Sequence, residues 1–158
     1  MKICYLADGV SVHTQRWLKS VSSQGHKVIL ITFRPAEIDD VMIHTIKTPR
    51  FIKILPTASF LSRFHYLFGK KQTQQIVDSF APDIIHSFWA TSYGLLGARL
   101  NFHNYLVSVW GQDIAKSPRK YFLMKLIVKY VLKKAKYIYC TSQYLVDETN
   151  KYINDKFW

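Results

Sequence analysis

Short apolar runs alternate with stretches of helical periodicity along nearly the whole chain, and this alternation restricts the fold more than any other feature. Residues 2–7, closed by Asp8-Gly9, are too few for a helix and apolar enough for a strand buried on both faces. From 13 to 23, Trp17, Leu18 and Val21 recur at helical spacing, and Gly25 supplies the stop. Residues 26–33 are again β-branched and apolar. Strand, helix and strand with short links make a βαβ unit, whose crossover is right-handed almost without exception.

The pattern then repeats. A weaker strand is predicted at 41–46, and a helix over 57–80 with an aromatic first half containing Phe60, Leu61, Phe64, Tyr66, Leu67 and Phe68. Pro82-Asp83-Ile84-Ile85-His86 opens a fourth strand, and 92–100 a small helix whose Gly94 and Gly97 permit close packing. A fifth strand follows at 105–110. Ser117-Pro118 places a cap before a first-turn proline, starting a helix that runs to about 134. A sixth strand at 136–141 leads to Ser142, which caps a last helix ending near 153. No repeat, low-complexity linker or internal boundary interrupts the series. The expectation is one α/β domain over 1–158, Rossmann-like and doubly wound, with a mostly parallel sheet and helices on both faces. A chain of this length buries a core of its own.

Charge is the unusual bulk property, at +12. No Asp or Glu occurs from 41 to 77, where Lys47, Arg50, Lys53, Arg63, Lys70 and Lys71 lie. None occurs from 114 to 146, which holds Lys116, Arg119, Lys120, Lys125, Lys129, Lys133, Lys134 and Lys136. Such fields favour anionic partners, whether lipid head groups, phosphorylated ligands or nucleic acid. The alternative is a lysine-rich surface that reflects composition alone. Arg50, Lys53, Arg63, Lys70 and Lys71 are the candidates to face a membrane, whereas Phe60, Leu61, Phe64 and Leu67 beside them suit a core. No nucleic-acid motif accompanies the charge, and no nucleic-acid partner is expected. No run reaches the roughly 20 apolar residues of a bilayer span. The opening run is too short for a signal peptide, so a cytoplasmic site is expected, peripheral at most on the inner membrane face. Cys4 and Cys140 both sit in apolar runs and read as small core residues; a disulfide requires their strands to align.

In an open parallel sheet, ligands bind beyond the carboxyl ends of the strands. That selects the loops at 8–13, 86–92 and 110–116 and the turn at 141–142, and a shared groove along one sheet edge is expected there. The first loop has one glycine, Gly9, and lacks both a dinucleotide fingerprint and a P-loop. A helix starting near His13 still offers unpaired backbone N–H groups to an anion. Ser11 is either its cap or a ligand contact, and His13 either a solvent-facing first-turn residue or a functional one. In the second loop, His86 is a structural histidine or a ligand contact, and Trp89 presents an aromatic face suited to a sugar ring. In the third, Trp110 and Gly111 precede Asp113, which either meets hydroxyls, acts as a base, or caps the turn. Asp113 is the one catalytic candidate. No ligand set has metal-site spacing.

The ordered set of motifs resembles a known family. Met1-Lys2-Ile3-Cys4-Tyr5-Leu6 with Asp8-Gly9, then Ser11-Val12-His13-Thr14-Gln15-Arg16-Trp17 and Gln24-Gly25-His26-Lys27-Val28, is similar to the opening of family 4 glycosyltransferases. Pro82-Asp83-Ile84-Ile85-His86 resembles the family's PDIVH strand, and Tyr93-Gly94 with residues 106–114 resembles a segment of one subgroup. Residues 135–138 through Thr141-Ser142 resemble the strand before the last helix of the amino domain. The resemblance implies retaining sugar transfer from a nucleotide-sugar donor, with no cofactor or metal required, between two Rossmann-like domains of the GT-B fold. It implies an amino domain that holds a glycan or lipid-linked acceptor, with Gly9, Ser11 and His13 facing donor and acceptor and Gly111 and Asp113 lining the cleft. Many relatives carry His-Gly where this chain has Trp110-Gly111, so no histidine role transfers there. Nothing resembles the family's carboxyl-terminal, donor-binding domain or its Glu-x7-Glu motif. The expectation is therefore an isolated half, a truncated product or a split subunit, inactive alone and needing that missing domain as partner. The competing expectation is a non-catalytic basic module that recruits an anionic ligand, a membrane or a partner protein.

Overall fold

The computed structural model describes residues 1–48, 66 and 68–153. Six strands form one sheet: β1 (Lys2–Leu6), β2 (Lys27–Thr32), β3 (Met42–Thr45), β4 (Ile84–Phe88), β5 (Tyr105–Val109) and β6 (Tyr137–Cys140). Their order, β3-β2-β1-β4-β5-β6, is that of a Rossmann fold, as the sequence pattern predicts. By compactness the chain divides into two units, Met1–Ile85 and His86–Trp158, and the division falls inside β4.

In the first unit, β1 pairs in parallel with β2 from Lys2↔Lys27 to Leu6↔Ile31, and β2 with β3 from Ile29↔Met42 to Thr32↔Thr45. Only the first residues of β1 and β2 reach solvent, which is why both runs are apolar throughout rather than alternating. Helix α1 (Val12–Ser23) buries Thr14 and Leu18, and its Trp17 donates Nε1–H to the Tyr5 hydroxyl at 3.1 Å. Gly25, at φ 81°, ends it in a conformation that favours glycine. Helix α2 (Lys70–Phe80) ends at Ala81, in the left-handed region at φ 49°. Asp83 follows: its carboxylate accepts the Lys2 backbone N–H at 2.8 Å, and its own N–H donates to the Lys2 carbonyl at 2.8 Å. The Pro-Asp step thus fastens the chain to the first residue of β1.

The predicted helix over 57–80 needs correction. Residues 57–65 and 67 lie outside the described residues, and with them Arg50, Lys53 and Arg63 and the core candidates Phe60, Leu61, Phe64 and Leu67. The helix that is described begins at Lys70, because Gly69 stands at its cap and the Gly69 carbonyl accepts both the N–H and the hydroxyl of Thr73. Phe68, ahead of it, is exposed.

In the second unit, β5 pairs in parallel with β6 from Leu106↔Tyr137 to Val109↔Cys140. A π-helical turn (Trp89–Tyr93) precedes α3 (Gly94–Ala98), in place of the single helix predicted over 92–100. A second π-helical turn (Gln112–Lys116) leads into α4 (Ser117–Lys120) and α5 (Phe122–Lys134). The predicted single helix there is broken at Tyr121, whose extended backbone (φ −133°, ψ 116°) closes α4 and starts α5. Helix α6 (Gln143–Ile153) follows β6, with Ser142 accepting the first backbone N–H groups. Gly97 lies against β5: a Cβ there would run into the Ser87 hydroxyl and stand 2.6 Å from the Tyr105 ring. Cys4 is buried, Cys140 half-buried, and both are free thiols. Among the described residues no helix is long and apolar enough to cross a membrane, and no three metal-binding side chains are grouped to hold an ion.

Candidate functional site

In the first unit, the chain leaves β1 and turns at Asp8-Gly9 before entering α1. Asp8 accepts the Val10 N–H at 3.2 Å with one oxygen and pairs with Arg34 at 2.9 Å with the other. The Gly9 N–H donates to the buried Thr32 hydroxyl at 3.2 Å, and its carbonyl accepts Gln15 Nε2–H at 3.0 Å. Gly9 is itself buried, and a Cβ there would stand 2.7 Å from the Ala36 Cβ. Packing therefore already requires glycine at this position. Ser11 is the N-cap of α1 through its backbone, accepting the Gln15 N–H at 3.0 Å, and its side chain makes no cap bond. Its hydroxyl is thus not consumed by capping. His13 is exposed in the first turn. The amides at the start of this 12-residue helix have no carbonyl one turn earlier, so they carry a partial positive charge.

In the second unit, two loops are joined by one carboxylate. Asp113 is 1% exposed. One oxygen accepts the Ala90 N–H at 2.8 Å; the other accepts the N–H groups of Trp110 at 3.0 Å and Gly111 at 2.9 Å. Burial pushes its pKa above the ordinary aspartate value, while the amides pull it back by stabilising the anion. Of the roles read from the sequence, the geometry shows the turn cap, extended to hold a second loop 23 residues away. Neither oxygen faces open solvent.

The clamp sits beside two unusual backbone positions. Gly111 has φ 112°, which a residue with a side chain rarely adopts. Trp89, just before the clamped Ala90, has φ 68°, an outlier for a bulky aromatic residue. The Trp89 carbonyl in turn approaches Gly94, where a Cβ would meet it at 2.8 Å. Trp89 is half-buried, so its indole remains partly available. Strain of this kind persists only where the surroundings over-determine it, and Asp113 and Gly94 do so here.

His86 lies deeper. Its ring is 5% exposed, Nε2 lies 2.6 Å from the Ser108 hydroxyl, and Phe88 packs edge-on at 4.9 Å. Burial lowers its pKa to about 3, so the imidazole is neutral at ordinary pH. Phe88 also meets the half-buried Trp110 at 5.3 Å. Beside them the Ser87 hydroxyl donates to the Tyr105 hydroxyl at 2.9 Å, which donates to the Gly94 carbonyl at 2.8 Å. From α6, Tyr152 donates to the Ile114 carbonyl at 3.1 Å, and the buried Glu148 accepts Arg119 at 2.6 Å and Lys151 at 2.5 Å. The structure thus brings Trp89, Trp110, Gly111 and Asp113 together, with His86 beneath them. Gly9, Ser11 and His13 belong to the first unit. Thr32, Arg34, Ser108 and Glu148 were not singled out from the sequence, because only strand neighbours and folded-back helices bring them to these loops.

Residues 2–142 match the family described as Glycosyl transferase 4-like. The chain belongs to that family. No curated protein sequence matches it. Among solved structures, this family member is similar to MurG of Acinetobacter baumannii, at 16% identity and a TM-score of 0.56 over 88% of this chain and 40% of that one. It is similar to UGT73P12 of Glycyrrhiza uralensis, solved with glycyrrhetinic acid 3-O-monoglucuronide, at 14% identity and 0.60 over 98% and 47%. The UDP-GlcNAc 2-epimerase of Methanocaldococcus jannaschii aligns at 10% identity and 0.56 over 96% and 42%. The chain spans less than half the length of each of these structures. At such identities the likeness is one of fold.

Proposed function

We propose that this chain is the amino-terminal, acceptor-side half of a retaining glycosyltransferase. The complete enzyme moves a sugar from a nucleotide-sugar donor to a glycan or lipid-linked acceptor in cell-surface polysaccharide synthesis. It needs no metal or other cofactor. The observation that carries this reading is the family match over residues 2–142, in a chain shorter than half of its structural neighbours. An epimerase shares the fold, so fold alone favours no reaction; the family match favours transfer.

In this reading the start of α1, with Ser11 and His13, attracts the donor phosphates in the complete enzyme. Trp89 and Trp110 offer apolar ring faces to an acceptor sugar, and Gly111 lets the main chain turn beside them. Asp113 and His86 hold those loops in shape. The donor-binding carboxyl-terminal domain, or a split subunit that carries it, is the partner required for turnover. A peripheral position on the inner face of the cytoplasmic membrane belongs to the same reading, since a lipid-linked acceptor is reached there.

Calorimetric titration of the purified chain with neutral and anionic oligosaccharides tests the acceptor role. Saturable binding that Trp89→Ala abolishes is expected, and no saturable binding across the panel refutes it. Release of nucleotide from UDP- or GDP-sugars by the chain alone overturns its dependence on a second domain.

A further inference from the structure

Helix α5 exposes large apolar side chains as well as burying them. Its inner face buries Met124, Val128, Val131 and Leu132, at 0–4% exposure. Its outer face is not the polar surface that a globular domain ordinarily presents there. Phe122, Leu126 and Tyr130 recur every fourth residue at 75%, 47% and 36% exposure, with Leu123 beside them at 41%. Four large apolar side chains on one solvent-facing arc form a patch of the kind that marks an interaction surface.

The charges carried by this helix itself are of one sign. Lys120 is exposed before its first residue, Lys133 and Lys134 are exposed at its end, and no acid occurs from 114 to 146. On α6, which packs against α5, Glu148 is already held by Arg119 and Lys151, and Asp147 accepts Gln143 Nε2–H at 3.0 Å. A protein partner would have to supply an acidic rim to match. A second copy of this chain brings the same cations and repels. An apolar stripe bordered by lysines fits a surface that is oily below and anionic at its boundary.

We propose that the outer face of α5 docks on an anionic lipid surface, with Phe122, Leu123, Leu126 and Tyr130 entering the head-group boundary and Lys120, Lys133 and Lys134 meeting lipid phosphates. The helix lies in the plane of the interface and does not span it. This deepens the peripheral reading given above and rests on it for location only. It moves the contact away from Lys70 and Lys71, which the sequence nominates and which lie on α2.

Sedimentation with sucrose-loaded vesicles tests it, comparing pure phosphatidylcholine with an equimolar mixture of phosphatidylcholine and phosphatidylglycerol. The chain is expected to sediment with the mixed vesicles only. The double variant Phe122→Glu/Leu126→Glu loses about tenfold or more in partition, and Phe122→Ser/Leu126→Ser loses less. Lys133→Gln/Lys134→Gln loses about twenty-five-fold, each lysine near an anionic leaflet being worth about fivefold. Lys70→Glu/Lys71→Glu stays within twofold. Thermal melts of each variant confirm folding, and the residues changed on α5 are solvent-facing. Binding that persists in both the Glu and the Ser variants overturns the assignment to α5 and leaves the peripheral reading standing. Binding lost only in the α2 variant does the same. No binding to either vesicle overturns both, and a concentration-dependent dimer that the α5 variants dissolve assigns the face to a second copy instead.

Discussion

Removing the Asp113 carboxylate is the sharpest perturbation the structure offers. Asp113→Ala leaves three backbone N–H groups without their acceptor. Ala90 is fully buried, so water cannot replace its bond, and the loss costs about 1–3 kcal/mol. Trp110 and Gly111 are half-buried, where water reaches part of the way, and about 1 kcal/mol each is expected. The total is about 3–5 kcal/mol, large for one substitution. Asp113→Asn behaves differently. Its amide oxygen keeps the bonds to Trp110 and Gly111, while its NH2 faces the Ala90 N–H as donor against donor, costing about 2 kcal/mol. Urea denaturation followed by circular dichroism measures both, as a lower midpoint at constant slope. Amide exchange at Ala90 supplies the local signal and accelerates in both variants. A change below about 0.5 kcal/mol in Asp113→Ala, or unchanged exchange at Ala90, refutes the clamp.

Other outcomes follow from the same geometry. The native pKa of His86, near 3, lies below the unfolded value of 6.5, so its contribution is intact above pH 6.5 and is lost as pH falls towards 3. The slope is about 1.4 kcal/mol per pH unit, or about 2 kcal/mol by pH 5, and His86→Leu should remove that part of the pH dependence in urea titrations. Gly97→Ala forces a methyl group against Ser87 and Tyr105 and should cost about 1–3 kcal/mol in the same assay, whereas a neutral result would show that β5 yields. With a thiol reagent, Cys140 should react slowly in the native chain and Cys4 only after unfolding, since burial pushes the Cys4 thiol up to about 12. Rapid native labelling of Cys4 would contradict that placement.

Much of the fold was legible because buried parallel strands leave an unbroken apolar record. All six runs became strands, within two residues at most ends, and the order matches a Rossmann sheet. Helix limits were less legible where local chemistry overrides period. Gly69 starts α2 later than its aromatic approach predicts, and Tyr121 breaks α4 from α5 with no sequence signal that marks it. The π-helical turns after β4 and β5 leave no mark in the sequence because periodicity does not separate five-residue turns from short helices. At the candidate site the sequence leaves the role of Asp113 open among three. The choice depended on Ala90, 23 positions away, coming within 2.8 Å, and no local pattern encodes that. The tight packing of Gly9 against Ala36 has no sequence signature either.

The Asp113 carboxylate grips only main-chain atoms. The three amides belong to Ala90, Trp110 and Gly111, so the clamp itself does not depend on the indole at 110, provided 110 is not proline and 111 remains glycine. Loop shape and loop chemistry are therefore set by different atoms. If the proposed acceptor role of Trp89 and Trp110 holds, ligand preference can be varied at 110 while the carboxylate keeps the scaffold beneath it in form, which makes that position the natural place to begin retargeting the domain.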